Sequence, residues 1–175
     1  MTELDIVGGR IICAGTFSFV GEQINTYTPV VFTTATSPNL GSTGAAQGWW
    51  VKFGNLVMCW GLIRFLGTGV SAGSGLYRIT LPKPAIVLTP LNYSGSGPEL
   101  GWGAIRDDSA LSTNSRQFVP RLTDAVHPTH KVAVFIMEVA DGVRSVVTAT
   151  DPFTWSSGDL ISFFCIFPAE LELIT

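Results

Sequence analysis

The chain has 175 residues, of which 13% are charged and 46% are hydrophobic, and its formal net charge is −3. This length fits one domain with a substantial core, and the acidic balance argues against a nucleic-acid-binding surface, which needs a basic patch. The longest uncharged apolar stretches, residues 53–63 and 160–169, are shorter than the about 20 residues that a membrane-spanning helix needs. The acidic opening "MTELD" also lacks the basic start of a secretory signal. We therefore expect neither a nucleic-acid partner nor a membrane partner.

The charges are unevenly distributed along the chain. Five lie between Ile11 and Pro98, eleven lie between Glu99 and Arg144, and the run of residues 23–51 has none. An average soluble domain carries roughly 25% charged residues. A chain with so few charges and no membrane span is expected to cover part of its surface with other copies of itself.

Strand-like runs recur along the whole chain, separated by Gly- and Ser-rich turns. There are 19 Gly and 10 Pro, and no stretch combines helical periodicity with helix caps. The pair "DG" at residues 141–142 indicates a tight hairpin. In chain order, the predicted strands are residues 10–20, 27–34, 49–66, 76–81, 100–106, 116–122, 131–139, 142–149 and 160–167. Many short strands at this spacing predict an antiparallel sandwich or barrel.

The predicted strand at residues 76–81 alternates in polarity, as a strand with one buried face does. Tyr77 and Ile79 lie on one face, and Arg78 and Thr80 lie on the other.

Three other predicted strands, residues 55–66, 131–139 and 160–167, carry apolar side chains on both faces. One face of an antiparallel sheet normally meets water, so a second apolar face needs a second cover. We predict that this cover is another subunit, although the sequence does not decide which parity faces the core. The candidate interface residues are Val57, Met58, Trp60, Ile63, Phe135, Phe163 and Phe164.

Two short motifs have parallels in catalytic or metal sites. "GVSAG" at residues 69–73 has the spacing of a hydrolase nucleophile around Ser71, but that motif needs a helix after the turn, and here a predicted strand follows. His127 and His130 flank a proline near Asp124, and a histidine pair alone is a weak metal signal. We interpret the first motif as a hairpin loop and the histidines as exposed loop residues. We therefore expect no enzymatic activity, no metal and no cofactor.

The three cysteines, Cys13, Cys59 and Cys165, are far apart in the sequence and have apolar neighbours. An odd number of such residues predicts buried free thiols that pack as small hydrophobic side chains. This use of cysteine fits synthesis in a reducing cytosol.

Two segments together resemble a module of bacteriophage virion proteins. Residues 27–82 combine a "Y-x-P" opening, a "T-x-x-P-x-L-G" loop, "G-N-L-V", "W-G-x-I-x-F", Gly-rich turns and "Y-x-I-T-L-P". Residues 148–167, "TATDPFTWSSGDLISFFCIF", resemble the last hairpin of that module and of the C1q/TNF-like jelly rolls. The resemblance covers about residues 27–167 and rests on the order and spacing of these motifs.

The resemblance implies an all-β antiparallel jelly-roll sandwich that forms a C1q/TNF-like homotrimer on the surface of a phage particle. It assigns the jelly roll to residues 27–175 and leaves residues 1–26 as a short strand-like arm. Tail fibres of this kind usually carry a long shaft before the head, and this chain departs from that pattern. The short arm favours docking directly onto other virion proteins, in the capsid or in the tail.

The sequence does not decide between two functions. The first is structural: a capsid decoration or accessory protein on the virion surface. The second is adhesion, in which a tail-associated receptor-binding protein recognises a glycan of the host surface. Exposed aromatic side chains favour adhesion because sugars stack on aromatic faces, and the possible glycan contacts are Tyr93 and Trp102 in a polar stretch. The alternative for these two residues is an ordinary loop anchor and a core tryptophan.

Overall fold

The computed structural model describes residues 6–7, 10–11, 23–33, 35–53, 55–82, 99–109, 114–126, 133–140 and 144–168. Within these ranges every regular element is a strand and every strand pairing is antiparallel, which confirms the all-β antiparallel prediction. The strands are β1 (Ile6–Val7), β2 (Arg10–Ile11), β3 (Asn25–Tyr27), β4 (Val31–Phe32), β5 (Ala45–Phe53), β6 (Leu56–Arg64), β7 (Arg78–Thr80), β8 (Gly101–Asp107), β9 (Asn114–Val126), β10 (Ala133–Ala140), β11 (Arg144–Val146) and β12 (Leu160–Pro168). No helix in the described ranges is long and apolar enough to span a membrane.

One large sheet contains all strands except β1 and β2, which pair with each other. Its order is β3-β5-β6-β12-β8-β9-β10-β7-β4, and β11 pairs with β10. The long strand β9 pairs with β8 up to Phe118 and with β10 from Phe118 onward, so it joins two groups of strands. We call β3, β5, β6, β12 and β8 the front strands, and β10, β11, β7 and β4 the back strands. Side chains from both groups belong to one buried cluster, so the sheet folds over a common core.

The prediction of a single strand over residues 49–66 is wrong, because this segment is a hairpin. Phe53 at the end of β5 pairs with Leu56 at the start of β6, so only two residues separate the strands. The dipeptide Gly54-Asn55 is a two-residue hairpin signal, but the apolar residues on both sides of it look like one continuous strand. The hairpin predicted from "DG" is confirmed, since β10 and β11 pair directly on either side of it. The predicted strand at residues 10–20 is described only at β2, and its remainder lies outside the described residues.

Aromatic packing closes the core beside the hairpin that leads into β12. The Trp155 ring lies 5.0 Å from that of Phe65, 5.3 Å from that of Tyr77 and 4.9 Å from that of Phe153, measured between centroids. Its Nε1 donates a hydrogen bond of 2.9 Å to the carbonyl oxygen of Thr148, so the one polar atom of this buried ring is satisfied. This arrangement explains the tryptophan of "PFTW" by packing.

Glycines leave room for aromatic rings on the core side of the front strands. Gly61 of β6 and Gly103 of β8 both pair with Phe163 of β12, and Gly103 also pairs with Phe118 of β9. A Cβ atom at Gly61 would lie 2.5 Å from the Phe163 ring, and one at Gly103 would overlap the Phe118 ring. The rings therefore lie over backbone where any side chain would displace them.

A buried carboxylate connects the loops at one end of the front strands. The Oδ1 atom of Asp159 accepts a hydrogen bond from the backbone N–H of Ser109 at 3.1 Å, and its Oδ2 accepts one from that of Ser156 at 2.7 Å. Its carbonyl oxygen accepts a third from the N–H of Phe65 at 2.9 Å. Burial raises the pKa of Asp159 above its ordinary value, although the hydrogen bonds from Ser156 and Ser109 act in the opposite direction. Asp159 thus holds the ends of β6, β8 and β12 together.

Candidate functional site

The pleat of the front strands separates a closed surface from an open one. In β6 and in β12, every odd-numbered residue is buried and every even-numbered residue is half-buried or exposed. Val57 and Ile63 are fully enclosed, whereas their neighbours Leu56 and Met58 reach the other side. The structure thus assigns the odd parity to the core, a choice that the sequence left open.

The side of the front strands that points away from the core is here called the outer face. Strand register brings apolar side chains of four strands together on it. They are Trp49, Val51 and Phe53 of β5, Leu56, Met58, Trp60 and Leu62 of β6, Phe164 and Ile166 of β12, and Trp102 and Ala104 of β8. Phe53, Leu56, Ile166 and Trp102 are exposed, and Trp102 has 65% of its surface accessible. Val51 is buried, and the other side chains of this set are half-buried.

An aromatic row crosses the middle of the outer face. Trp49 pairs with Trp60, Trp60 pairs with Phe164, and Phe164 pairs with Trp102, so one aromatic residue comes from each of four adjacent strands. The Trp49 and Trp60 rings are stacked, with centroids 6.4 Å apart and planes 19° apart. The Phe164 and Trp102 rings are 6.2 Å and 32° apart. Neighbouring strands thus hold these rings in two pairs on the surface.

Charge is confined to one end of the outer face. Arg64 and Arg106 lie on either side of Leu160 in the row that ends β6 and starts β12. The Nη2 atom of Arg106 lies 3.0 Å from the Oδ1 of Asp108, and both groups are accessible to water, so this pair contributes little to stability. From the row of Arg64, Leu160 and Arg106 to Phe53 at the opposite end of the sheet, the described residues of the outer face carry no charge. A surface of this composition is suited to contact with another apolar surface.

The structure divides the predicted interface residues between the two sides of the sheet. Val57, Ile63 and Phe163 lie in the chain's own core and are almost fully enclosed. Met58, Trp60 and Phe164 lie on the outer face. The backbone of Phe135 lies in β10, but its side chain is outside the described part of the structure.

Of the two possible glycan contacts, Tyr93 lies outside the described residues and Trp102 is exposed on the outer face. Trp102 therefore belongs to the same row as Trp60, a relation that the sequence did not indicate. Sequence reasoning also missed Trp49. The hairpin signal at residues 54–55, which turns β5 back beside β6, is the feature that would have found it.

The remaining chemical motifs lie apart from the outer face or outside the described residues. Ser71 forms a bridge with Asn39, with backbone hydrogen bonds of 2.9 Å and 3.1 Å, in the loop between β6 and β7. A strand, not a helix, follows that loop. His127 and His130 lie outside the described residues, and among the residues that are described no cluster of three or more His, Cys, Asp or Glu side chains is placed to hold a metal ion.

Two of the three thiols lie opposite each other in the core. Cys59 of β6 pairs with Cys165 of β12, and both are fully buried, as predicted; Cys13 lies outside the described residues. Burial raises the pKa of the Cys165 thiol well above its ordinary value, and the neighbouring Cys59 thiol adds to the effect. Burial and the same two thiols raise the pKa of the Tyr27 phenol. Such neutral, enclosed groups are suited to packing and poorly suited to nucleophilic chemistry.

Comparison of the chain with protein-family models, with curated proteins and with solved structures found no match.

Proposed function

We propose that this chain is a structural protein of a bacteriophage particle, a jelly-roll knob that assembles as a C1q/TNF-like homotrimer on the virion surface. The observation that carries the proposal is the outer face with its aromatic row, which is charged only at one end and is partly exposed in the described part of the chain, above a buried core. Soluble monomers rarely expose contiguous apolar patches larger than a few hundred Å². Obligate homomeric interfaces have this apolar character, so the outer face is best explained as the contact between copies.

The strand order supports the jelly-roll part of the proposal. The last strand, β12, lies between β6 and β8, so the chain returns over a long connection to insert its end among earlier strands. Greek-key connections of this kind build jelly rolls. The strands of the outer face are then the ones that would surround a threefold axis.

The motif order supports the virion part of the proposal. Two residues of the motifs that resemble the phage module, Trp155 and Asp159, occupy buried positions that hold the last hairpin against the rest of the fold. Their roles in this chain are structural. The low overall charge also fits a protein that works as part of a larger assembly.

The experiment that tests this proposal is cryo-electron microscopy of purified phage particles that carry the gene for this chain. The expected result is three-fold symmetric density of this chain on the particle surface. Particles assembled with Met58→Asp, which places a charge on the outer face, are expected to lack that density, and particles with Thr150→Asp, at an exposed loop position, are expected to keep it. Absence of the wild-type chain from purified particles would contradict the proposal.

Adhesion is the second candidate function, and the exposure of Trp102 favours it. Its indole is held against Phe164 but has most of its surface free, which is the arrangement that a sugar ring needs for stacking. Because Trp102 lies at one end of the aromatic row, a glycan at this position would bind at the margin of the proposed subunit contact. Loss of binding to host-surface polysaccharide in Trp102→Ala, with the oligomeric state unchanged, would favour adhesion over a purely structural role.

A further inference from the structure

The two enclosed thiols of the core lie on neighbouring strands, directly opposite each other. Cys59 of β6 is the partner of Cys165 of β12, and both side chains are fully enclosed. Nine consecutive residue pairs join β6 and β12 without a bulge, so the backbone around the two cysteines is regular. The Cys59 thiol contributes to the raised pKa of Cys165, which agrees with two sulfur atoms side by side.

Backbone hydrogen bonds define how far apart the two Cα atoms lie. The N–H of Ile166 donates to the carbonyl oxygen of Leu100, on the β8 side of β12. Backbone groups alternate in direction along a strand, so those of Cys165 point the other way, toward Cys59. The cysteines therefore form a hydrogen-bonded pair, in which the Cα atoms are about 5.5 Å apart. This separation lies within the range of disulfides, which is about 4.4–6.8 Å.

The side chains of such a pair fit a disulfide less closely than the backbone does. Cβ atoms of opposed residues are about 4.5–5.5 Å apart and are closer in non-hydrogen-bonded pairs, whereas a disulfide brings them to about 3.5–4.5 Å. Closing the bond therefore requires a small approach of the two strands. A bond under such strain is easier to reduce, a property of disulfides that respond to redox conditions.

We infer that Cys59 and Cys165 form a reversible disulfide between β6 and β12 when the chain folds in the presence of a small disulfide oxidant such as oxidised glutathione. One cysteine thiolate attacks the oxidant, forms a mixed disulfide and releases one glutathione. The other thiolate then attacks the cysteine sulfur of the mixed disulfide and releases the second glutathione. The oxidant gains two electrons, and the two cysteine protons end on the two glutathione thiols.

The exchange takes place before the core closes, because the folded chain encloses both thiols. In a reducing medium, the same residues remain packed thiols. The bond joins the two strands that carry Trp60 and Phe164, directly behind the outer face. Formation of the bond is independent of the proposed virion function, whereas its use to hold the contact between copies rests on that function.

Refolding in glutathione buffers tests the inference. Cys13→Ser keeps only the two paired thiols, and it is refolded from urea over a series of ratios of oxidised to reduced glutathione. Free thiols are then alkylated in urea. At oxidising ratios, the expected product is about 2 Da lighter than the reduced chain, takes up no alkylating agent and recovers two reactive thiols after treatment with dithiothreitol. The matched control adds Cys59→Ala and can form only a mixed disulfide with glutathione.

Urea denaturation then measures whether the native sheet accepts the bond. In the unfolded chain, the bond closes a loop of about 100 residues, so the oxidised protein is expected to have a urea midpoint about 1 M above that of the reduced protein. The control with Cys59→Ala is expected to show no such rise. Both readouts use the isolated chain, so they are independent of its incorporation into a particle.

Two results would overturn the inference. The first is refolded protein that carries two free thiols, or only mixed disulfides with glutathione, at every ratio. The second is a Cys59–Cys165 bond that lowers the urea midpoint, which would show that the folded sheet does not accommodate it. If Cys13→Ser does not refold, the wild type replaces it and peptide mapping identifies the joined cysteines. Bonds that involve only Cys13 would then count against the inference.

Discussion

Trp60 lies directly opposite Phe164 across β6 and β12, on the side of the sheet that points away from the core. One residue along the same strands, Cys59 lies opposite Cys165 on the core side, fully buried. Successive side chains of a strand point to opposite faces, so these two strands separate a closed apolar surface from an open one. One parity of β6 therefore fills the core, and the other lies on the outer face, where the proposed contact between copies would use it.

Adjacent positions in β6 should respond differently to the same charge. Val57→Asp places a carboxylate in the core, where an unpaired charge costs several kcal/mol, so this variant should not fold. Met58→Asp places it on the outer face and should give a folded chain that no longer assembles. Far-UV circular dichroism measures folding, and sedimentation velocity measures assembly. The separation of the two surfaces would be contradicted if both variants unfolded or if both stayed assembled.

Gly103 should tolerate no side chain while Phe118 keeps its ring. A Cβ atom at position 103 overlaps that ring, so Gly103→Ala should lower the free energy of unfolding by about 1–3 kcal/mol. Phe118→Leu, made in the Gly103→Ala background, should cost less than it does alone, because the smaller side chain relieves the overlap. Urea denaturation of the two single variants and the double variant gives the coupling energy. Strictly additive effects would show that the ring and the glycine do not constrain each other.

Asp159 should make stability depend on pH in a direction opposite to that of most paired carboxylates. Burial raises its pKa above the ordinary value of 3.8, so the folded protein holds this proton more tightly than the unfolded chain does. The resulting stabilisation of the folded state is fully present below the unfolded-state pKa and is lost as the pH rises through the folded-state pKa. The stability of the wild type relative to Asp159→Asn should therefore increase as the pH falls from neutral toward 3.8. Thermal denaturation of both proteins across that range measures this difference. A relative stability that falls on acidification would show that the pKa is lowered instead.

Removal of the Asp159 side chain should itself destabilise the protein. In Asp159→Ala, the N–H groups of Ser109 and Ser156 lose their acceptor, and a buried unsatisfied group costs about 1–3 kcal/mol. Asn at position 159 keeps an acceptor oxygen and should recover part of the loss. Urea denaturation at neutral pH ranks the three proteins. Equal stability of Asp159→Ala and the wild type would exclude a structural role for this carboxylate.

The thiols of Cys59 and Cys165 should not react while the chain is folded. Both are enclosed, and the raised pKa of Cys165 leaves almost no thiolate at neutral pH. In a Cys13→Ser background, which removes the thiol outside the described residues, an aromatic disulfide reagent should label nothing before urea is added and two thiols afterward. Rapid labelling of the folded protein would place one of these side chains at the surface.

The sequence was sufficient to predict an all-β antiparallel fold, since dense turn signals and short β-rich runs have few alternatives to an antiparallel sheet. It also indicated that β6 and β12 have a second apolar surface. It could not assign parity, because alternation carries no information when both parities are apolar. For the same reason Val57, Ile63 and Phe163 were candidates for the interface on equal terms with Met58, Trp60 and Phe164.

The aromatic row was beyond sequence reasoning for a different reason. Trp49, Trp60, Phe164 and Trp102 come from four strands that lie far apart along the chain, and only the strand register aligns them. Register is set by pairing across the whole sheet, and the connection that turns β5 back beside β6 was hidden within an apolar run. Local patterns therefore indicated the strands but not the surface that the strands form together.

Sedimentation equilibrium of the wild-type protein at micromolar concentration tests the central claim most directly. If the outer face is the contact between copies in a trimer, the measured mass should be three times the 18.7 kDa of one chain, and Trp60→Asp should reduce it to the mass of a single chain while its circular dichroism stays that of a folded β protein. A wild-type protein that remains at 18.7 kDa across this concentration range would contradict the account.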